Sequence, residues 1–494
     1  MLARQSMPFE QHNVTTADRC DVGQVTIDVL PDDVLLNIYD CYVSEAPKVE
    51  AWHLLVHVCR RWRNIVFESP CRLDLKIACT NRTPVREMLD IWPPLPISVA
   101  GNCGSRTCLD NIKAALEHND RVCAIKLYVY SHMEELFAAL DEPFPALKYL
   151  KLRSFGDLQQ DYPNPLRSLG QSSHLRTFML SGISVPGLPK LLLPCTDLVS
   201  FVLSANPRSG YISPEELFTT LSALTRLRRV LLHFESLHYL PSQRSPPPTR
   251  VVLPALTHFC FKDVSEYLED VVSRIDAPLL HRLDITFDRL EITSDTPELL
   301  RFISRIPKWQ TFNKAKMGFD SHIVWIEFPL PTQISGDGNM LTLAFSSFLP
   351  DRHFPCVVRF CRPPFFPLPE LEHLYIDRGQ YSQEPYEELE QPEEPQRVDA
   401  ETTRWLEFFQ PFSTVKNLYL SKAFAPRVAP TLQMLVGERT TEALPTLQNI
   451  FLEEFPGPVH GAIGQFVTAR QLSGESGHPI VIRPWDRTEH KAGQ

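Results

Sequence analysis

Four places in this 494-residue chain gather side chains of the kinds that do chemistry. His53 and His57 stand four apart, one helical turn, with Cys59 two residues further on, a way of presenting imidazole and thiolate to a transition metal. The stretch lacks the glutamate of a His-Glu-x-x-His site and no second ligand pair follows at zinc spacing, so the spacing argues against a metal centre. Cys103 with Cys108, and Cys356 with Cys361, are each five apart and do not form the CxxC pairs of a zinc module. Gly474-Glu475-Ser476-Gly477-His478 sets a serine between glycines, but the second glycine falls one residue early for a nucleophile elbow and the surroundings are polar. No Gly-rich loop ends in Lys-Ser or Lys-Thr to cradle phosphates. With no catalytic constellation and no cofactor motif, the expected activity is binding.

Composition narrows what is bound. A formal net charge of -10 argues against a general nucleic-acid or anionic-membrane binder, since both need a cationic surface. Residues 1–27 hold no apolar signal-peptide core, and no run of about 18 apolar residues occurs, so an intracellular chain, in cytoplasm or nucleus, is expected. The 12 cysteines, among them Cys59, Cys123, Cys195 and Cys260, sit between apolar neighbours, as thiols do in a reducing compartment, and no disulfide framework is expected.

The elements that would position a binding surface fall into two kinds. Over residues 30–67, Pro31 suits a helix start, and Asp32 and Asp33 put negative charge near unpaired amides. Val34, Leu35, Ile38 and Tyr42 then recur on one face. Ala51, Leu55, Val58, Trp62 and Ile65 repeat the spacing, with Arg60, Arg61 and Arg63 toward the carboxyl end. Two short amphipathic helices are predicted. So short a segment rarely stands alone, and its apolar face needs a cover.

The run Leu30-Pro31-Asp32-Asp33-Val34-Leu35, followed by Ile38-Tyr39 and by Val58-Cys59-Arg60-Arg61-Trp62-Arg63, resembles the F-box motif over about forty residues. The resemblance implies docking to the Skp-type adaptor of an SCF, cullin-RING ubiquitin ligase, through Leu30, Pro31, Val34, Leu35, Ile38, Val58 and Trp62. One departure is that Glu50-Ala51-Trp52-His53-Leu54-Leu55, after a linker at 44–49, replaces the usual Asp-Leu-Leu run. The succession Ser69-Pro70-Cys71-Arg72-Leu73-Asp74-Leu75 and then Pro94-Leu95-Pro96-Ile97-Ser98-Val99 resembles the layout of mushroom-type fungal F-box proteins. The alternative is a helical hairpin that merely caps the region behind it.

That region repeats. Apolar residues at positions 1, 4 and 6 recur as Leu147-Leu150-Leu152, Leu175-Phe178-Leu180, Leu198-Phe201-Leu203, Leu227-Val230-Leu232, Leu256-Phe259-Phe261 and Leu280-Leu283-Ile285. First positions are 28, 23, 29, 29 and 24 residues apart. Further copies are Val122-Ile125-Leu127, Leu371-Leu374-Ile376, Val415-Leu418-Leu420 and Leu447-Ile450-Leu452. Positions 4 and 6 fit a strand with one buried face, and helical patterns at 133–140, 215–224, 266–275 and 298–306 precede several copies. Helix then strand at this period resembles a leucine-rich repeat. The family's asparagine appears only as Asn206, where other copies have Phe155, Glu235 or Asp288, so irregular turns are expected. An ordinary α/β domain with parallel strands would give similar spacing.

The predicted fold is α/β: a disordered amino terminus at 1–27, a helical F-box at 28–68, a link with first strands at 69–119, and a curved repeat solenoid with a parallel sheet at 120–472. Residues 241–250 read as a proline-rich loop, 307–365 as degenerate repeats, 379–401 as an acidic surface loop and 473–494 as a polar tail. In such an array the residues flanking the core leucines face the concave side, so Met179, Arg229, Tyr375, Tyr419 and Phe451 are candidate contacts for a protein substrate. The competing reading is that loops or the carboxyl end cover them. The expected function is a substrate-recognition adaptor of the ligase, the alternative a repeat scaffold acting outside one.

Overall fold

The computed structural model describes residues 29–45, 57–68, 75–92, 94–155, 166–206, 211–234, 250–288, 296–309, 312–320, 323–329, 340–346, 370–378, 395–435, 443–453, 457–472 and 479–486, with 355, 357, 358, 360 and 361. The chain divides into two units, Met1–Lys76 and Ile77–Gln494.

In the first unit, helix α1 (Asp32–Glu45) begins where the Pro31 carbonyl accepts the N–H groups of Val34 and Leu35 at 3.1 Å, with Asp32 and Asp33 beside the positive helix end. Helix α2 (Arg60–Glu68) starts behind Cys59, whose carbonyl accepts the Arg63 N–H. The two helices pack together, and Leu35, Tyr39, Trp62 and Ile65 are buried. Arg61 Nη2 donates to the Leu30 carbonyl and to Asp32 Oδ1, both at 2.6 Å, tying the end of the segment to its start. The single helix expected from Ala51 to Ile65 is interrupted, since His57 and Val58 form a turn ahead of α2; Ala51 and Leu55 lie outside the described residues.

The second unit is built on strands β1 (Leu75–Cys79), β2 (Ile97–Cys103), β3 (Val122–Val129), β4 (Tyr149–Ser154), β5 (Thr177–Ser181), β6 (Ser200–Asn206), β7 (Arg229–Phe234), β8 (Val251–Val252), β9 (His258–Asp263), β10 (Ile275–Asp276), β11 (Arg282–Asp288), β12 (Lys314–Phe319), β13 (Ile323–Pro329), β14 (Met340–Ser346), β15 (His373–Arg378), β16 (Asn417–Leu420), β17 (Asn449–Leu452) and β18 (Val481–Pro484). Sixteen of them form one sheet in the order β1-β2-β3-β4-β5-β6-β7-β9-β11-β14-β13-β12-β15-β16-β17-β18, while β8 and β10 pair separately.

The apolar pattern dictates the register. Ile125, Leu150, Phe178, Phe201, Val230, Phe259 and Leu283 stand side by side across β3 to β11, and Leu127, Leu152, Leu180, Leu203, Leu232, Phe261 and Ile285 form a second row, all buried. Because alternate side chains leave a strand on opposite faces, these rows cover one face only. The first-position leucines close the turn before each strand: the N–H of Leu147, Leu175, Leu198, Leu227 and Leu280 donates to the carbonyl three residues back. Helices follow the expected runs, at Met133–Leu140, Pro214–Ala223, Ser265–Arg274 and Pro297–Ser304, with successive helices packed side by side. The Glu269 carboxylate accepts the N–H groups of Glu298 and Leu299, capping the next helix.

Where the asparagine is missing, other groups tie one strand-helix step to the last. Ser168 and Ser172 hydroxyls donate to the Glu142 and Phe144 carbonyls, Thr446 to those of Ser413 and Val415, and the Cys123 thiol to that of Ile97. Asn206 ends β6 at a register shift, next to Ala205 in the left-handed region at φ 49°.

Three segments depart from expectation. The apolar stretches of 307–365 are not further parallel repeats: β12, β13 and β14 form an antiparallel meander placed in reverse order, joined to β11 and β15 by parallel edges. Only three residues separate Phe319 from Ile323, and so short a link permits only an antiparallel partner. The first strands expected within 69–119 are β1 and β2, and β2 pairs in parallel with β3. In the carboxyl tail, Ile480 is buried and β18 adds a strand beside β17. Of the expected acidic loop at 379–401, residues 379–394 lie outside the described residues, and 395–401 form the start of the helix Pro395–Phe409, where Glu401 is paired with Arg427.

Candidate binding surfaces

In the first unit, Ile38 and Val58 are 41% and 54% exposed, and Pro31 is exposed as well. Leu30 and Val34 are half-buried. Leu35 and Trp62, expected as adaptor contacts, are instead buried, because their helical spacing turns them toward the packed side. His57 is an exposed turn residue, while His53, Cys356 and residues 474–478 lie outside the described residues.

In the second unit the face without the leucine rows carries three regions. The middle one is polar. Arg282 Nε donates to Asp284 Oδ2 at 2.6 Å, Lys316 lies 4.0 Å from Glu327, and Arg229 is exposed nearby in register with His258 and Arg282. Cys260, His258 and Asp284 share this face, yet burial, aided by Asp284, pushes the Cys260 thiol up to about 11. A thiol held protonated is the opposite of an activated nucleophile. Beside it, the Trp325 ring lies across Gly318, where any side chain would collide with it.

The carboxyl-terminal region is an aromatic stack. Tyr375 and Tyr419 lie 4.0 Å apart at 12°, and Tyr419 and Phe451 4.3 Å apart at 8°, in one register row with Lys316 and Arg483. Trp485, just past β18, crosses over Tyr419 at 5.7 Å and Tyr375 at 6.0 Å. Tyr419 is therefore 6% exposed and forms part of a packed cluster rather than an open anchor, while Tyr375 and Phe451 are half-buried. Burial raises the phenol pKa of both tyrosines, their mutual proximity adding to that of Tyr375. One row away, Asn449 Nδ2 donates to Asn417 Oδ1 at 2.8 Å.

The amino-terminal region, on β3 and β4, mixes cations with rings. Lys126 and Lys151 Nζ lie 5.9 and 5.8 Å from the Tyr128 ring centre, and the Arg153 guanidinium lies 4.6 Å from that of Phe155. Tyr130 and Phe155 stack at 4.9 Å and 9°, and remain 53% and 47% exposed. Met179 is half-buried at its edge, accepting the Tyr149 hydroxyl at 3.8 Å. The sequence expectations overlooked Lys126, Tyr128, Tyr130 and Arg153. Their signal was the period-two alternation of Lys126, Tyr128 and Tyr130 with Ile125, Leu127 and Val129.

No family model matches the chain, and no match was found among the curated proteins.

Proposed function

We propose that the chain is the substrate-recognition adaptor of an SCF-type ubiquitin ligase, with an F-box head and a leucine-rich-repeat-like body. The Arg61 link carries the head reading: it joins the Leu30-Pro31-Asp32 start to the Cys59-Arg60-Arg61-Trp62 end, the two parts of the sequence that resemble the motif. In the same unit, Ile38 and Val58 leave apolar surface in water, a free-energy cost that a partner would remove at roughly 25 cal/mol per Å². The body reading is supported by the in-register leucine rows and the regular strand spacing. The chain supplies proximity only: holding a substrate beside a bound conjugating enzyme raises the local concentration of its lysines. The Skp-type adaptor, and through it a cullin, are the partners on the head, and a protein substrate is the partner on the body.

The test is a pull-down of purified Skp-type adaptor by the native chain and by Ile38→Asp combined with Val58→Asp. These positions are exposed, so the charges leave the fold intact by circular dichroism while binding falls by about a hundredfold, the loss expected for two central apolar anchors. No binding by the native chain overturns the ligase reading, and equal binding by the variant overturns the Ile38–Val58 face as the docking surface.

A further inference from the structure

The cations of β3 and β4 differ from the ion-paired ones of the body. Several cations elsewhere sit on carboxylates, among them Arg86 on Glu117, Arg226 on Asp197, Arg282 on Asp284, Arg305 on Asp276 and Lys416 on Glu372. Lys126, Lys151 and Arg153 sit over aromatic rings instead, and among the described residues none of the three has a carboxylate partner. Two ammonium groups around one Tyr128 ring repel each other, and the ring quadrupole offsets that only in part. In a chain of net charge -10, this is a local excess of positive charge. Directly beside it, the Tyr130–Phe155 pair exposes about half of each ring. Exposed stacked rings next to unneutralised cations call for a ligand with both anionic and apolar groups.

We propose that this end of the sheet binds a short acidic segment of a protein partner, its carboxylates on Lys126, Lys151 and Arg153 and one large apolar side chain on the Tyr130–Phe155 pair. The proposal deepens the reading of the body as a substrate-binding surface and rests on it. A long polyanion fits the face less well, because Asp284 and Glu327 lie along its middle and would repel a continued chain of phosphates. Three cations suffice for a short peptide held also by a hydrophobic anchor.

The experiment uses the full chain and a short fluorescein-labelled peptide, one tryptophan flanked on both sides by glutamates, followed by fluorescence anisotropy. Binding is expected, weakened by added salt. It falls about tenfold in Lys126→Gln/Lys151→Gln and about tenfold again when Phe155→Ala is added. These side chains are at the surface, and a thermal melt like that of the native chain establishes that the variants fold. No binding, undiminished binding by the lysine variant, equal binding of a peptide with lysines for glutamates, or tighter binding of single-stranded oligouridylate would each overturn the proposal. A chain that takes the peptide but not the Skp-type adaptor removes the ligase and leaves the patch; the reverse result removes the patch alone.

Discussion

On β3 and β4 the open face shows Tyr130 and Phe155 to solvent beside three cations; on β15 to β17 the same face packs Tyr375, Tyr419 and Phe451 ring on ring beneath Trp485. Both regions have aromatic residues at alternate strand positions, the pattern expected of an interface anchor. What separates them is whether a later part of the chain returns to cover the rings. At the carboxyl end β18 does so, and the aromatics become a second small core; at the amino end the rings keep company with charge and stay open. An aromatic row on a sheet marks a partner surface only where its own chain leaves it bare.

The largest test of that contrast is Trp485→Ala. Removing a buried indole from the stack is expected to destabilise the body by about 3 kcal/mol, read from the midpoint of denaturant unfolding. A change below about 1 kcal/mol would mean that the rings stack without their cover and that the two regions differ less than described. Alkaline pH gives a smaller effect. The folded-state pKa of Tyr375 and Tyr419 lies above the ordinary value of 10.0, so their contribution is complete below pH 10 and is lost as pH rises through the folded values. Tyr375→Phe with Tyr419→Phe should flatten this alkaline loss, by about 1 kcal/mol, since half-buried Tyr375 keeps some solvent contact. An unchanged alkaline unfolding curve would contradict the packing of these phenols. Smallest of all is Phe155→Ala, where stability should stay within about 0.5 kcal/mol of the native value. A large loss there would make the amino-terminal rings core rather than contact surface.

The strands were legible in the sequence because each buries only one face, so that Leu147, Leu150 and Leu152 announce both the turn and the inward positions. Strand direction was not: Val324, Ile326 and Phe328 alternate as they would in a parallel repeat, and only the brevity of 320–322 distinguishes the meander. The fate of Tyr419 was hidden because its cover comes from Trp485, in a stretch whose polar neighbours masked the apolar run Ile480-Val481-Ile482. In the head, helical spacing identified the apolar residues, but which of them point inward depended on where α2 begins, a boundary moved by the turn at His57 and Val58.

The reversed meander bears on how the molecule can be made. From β2 to β11 each strand of the large sheet finds its neighbour already formed by the chain just before it, so the sheet can lengthen as the polypeptide leaves the ribosome. After β11 that stops. β12 pairs with β13 rather than with β11, so the meander joins the growing sheet only once β14, the last of its strands, has been synthesised and settles against β11, and β15 then adds to β12. Three strands therefore dock as one block, and during that interval the β11 edge stands open, with its unpaired backbone offered to any other nascent chain.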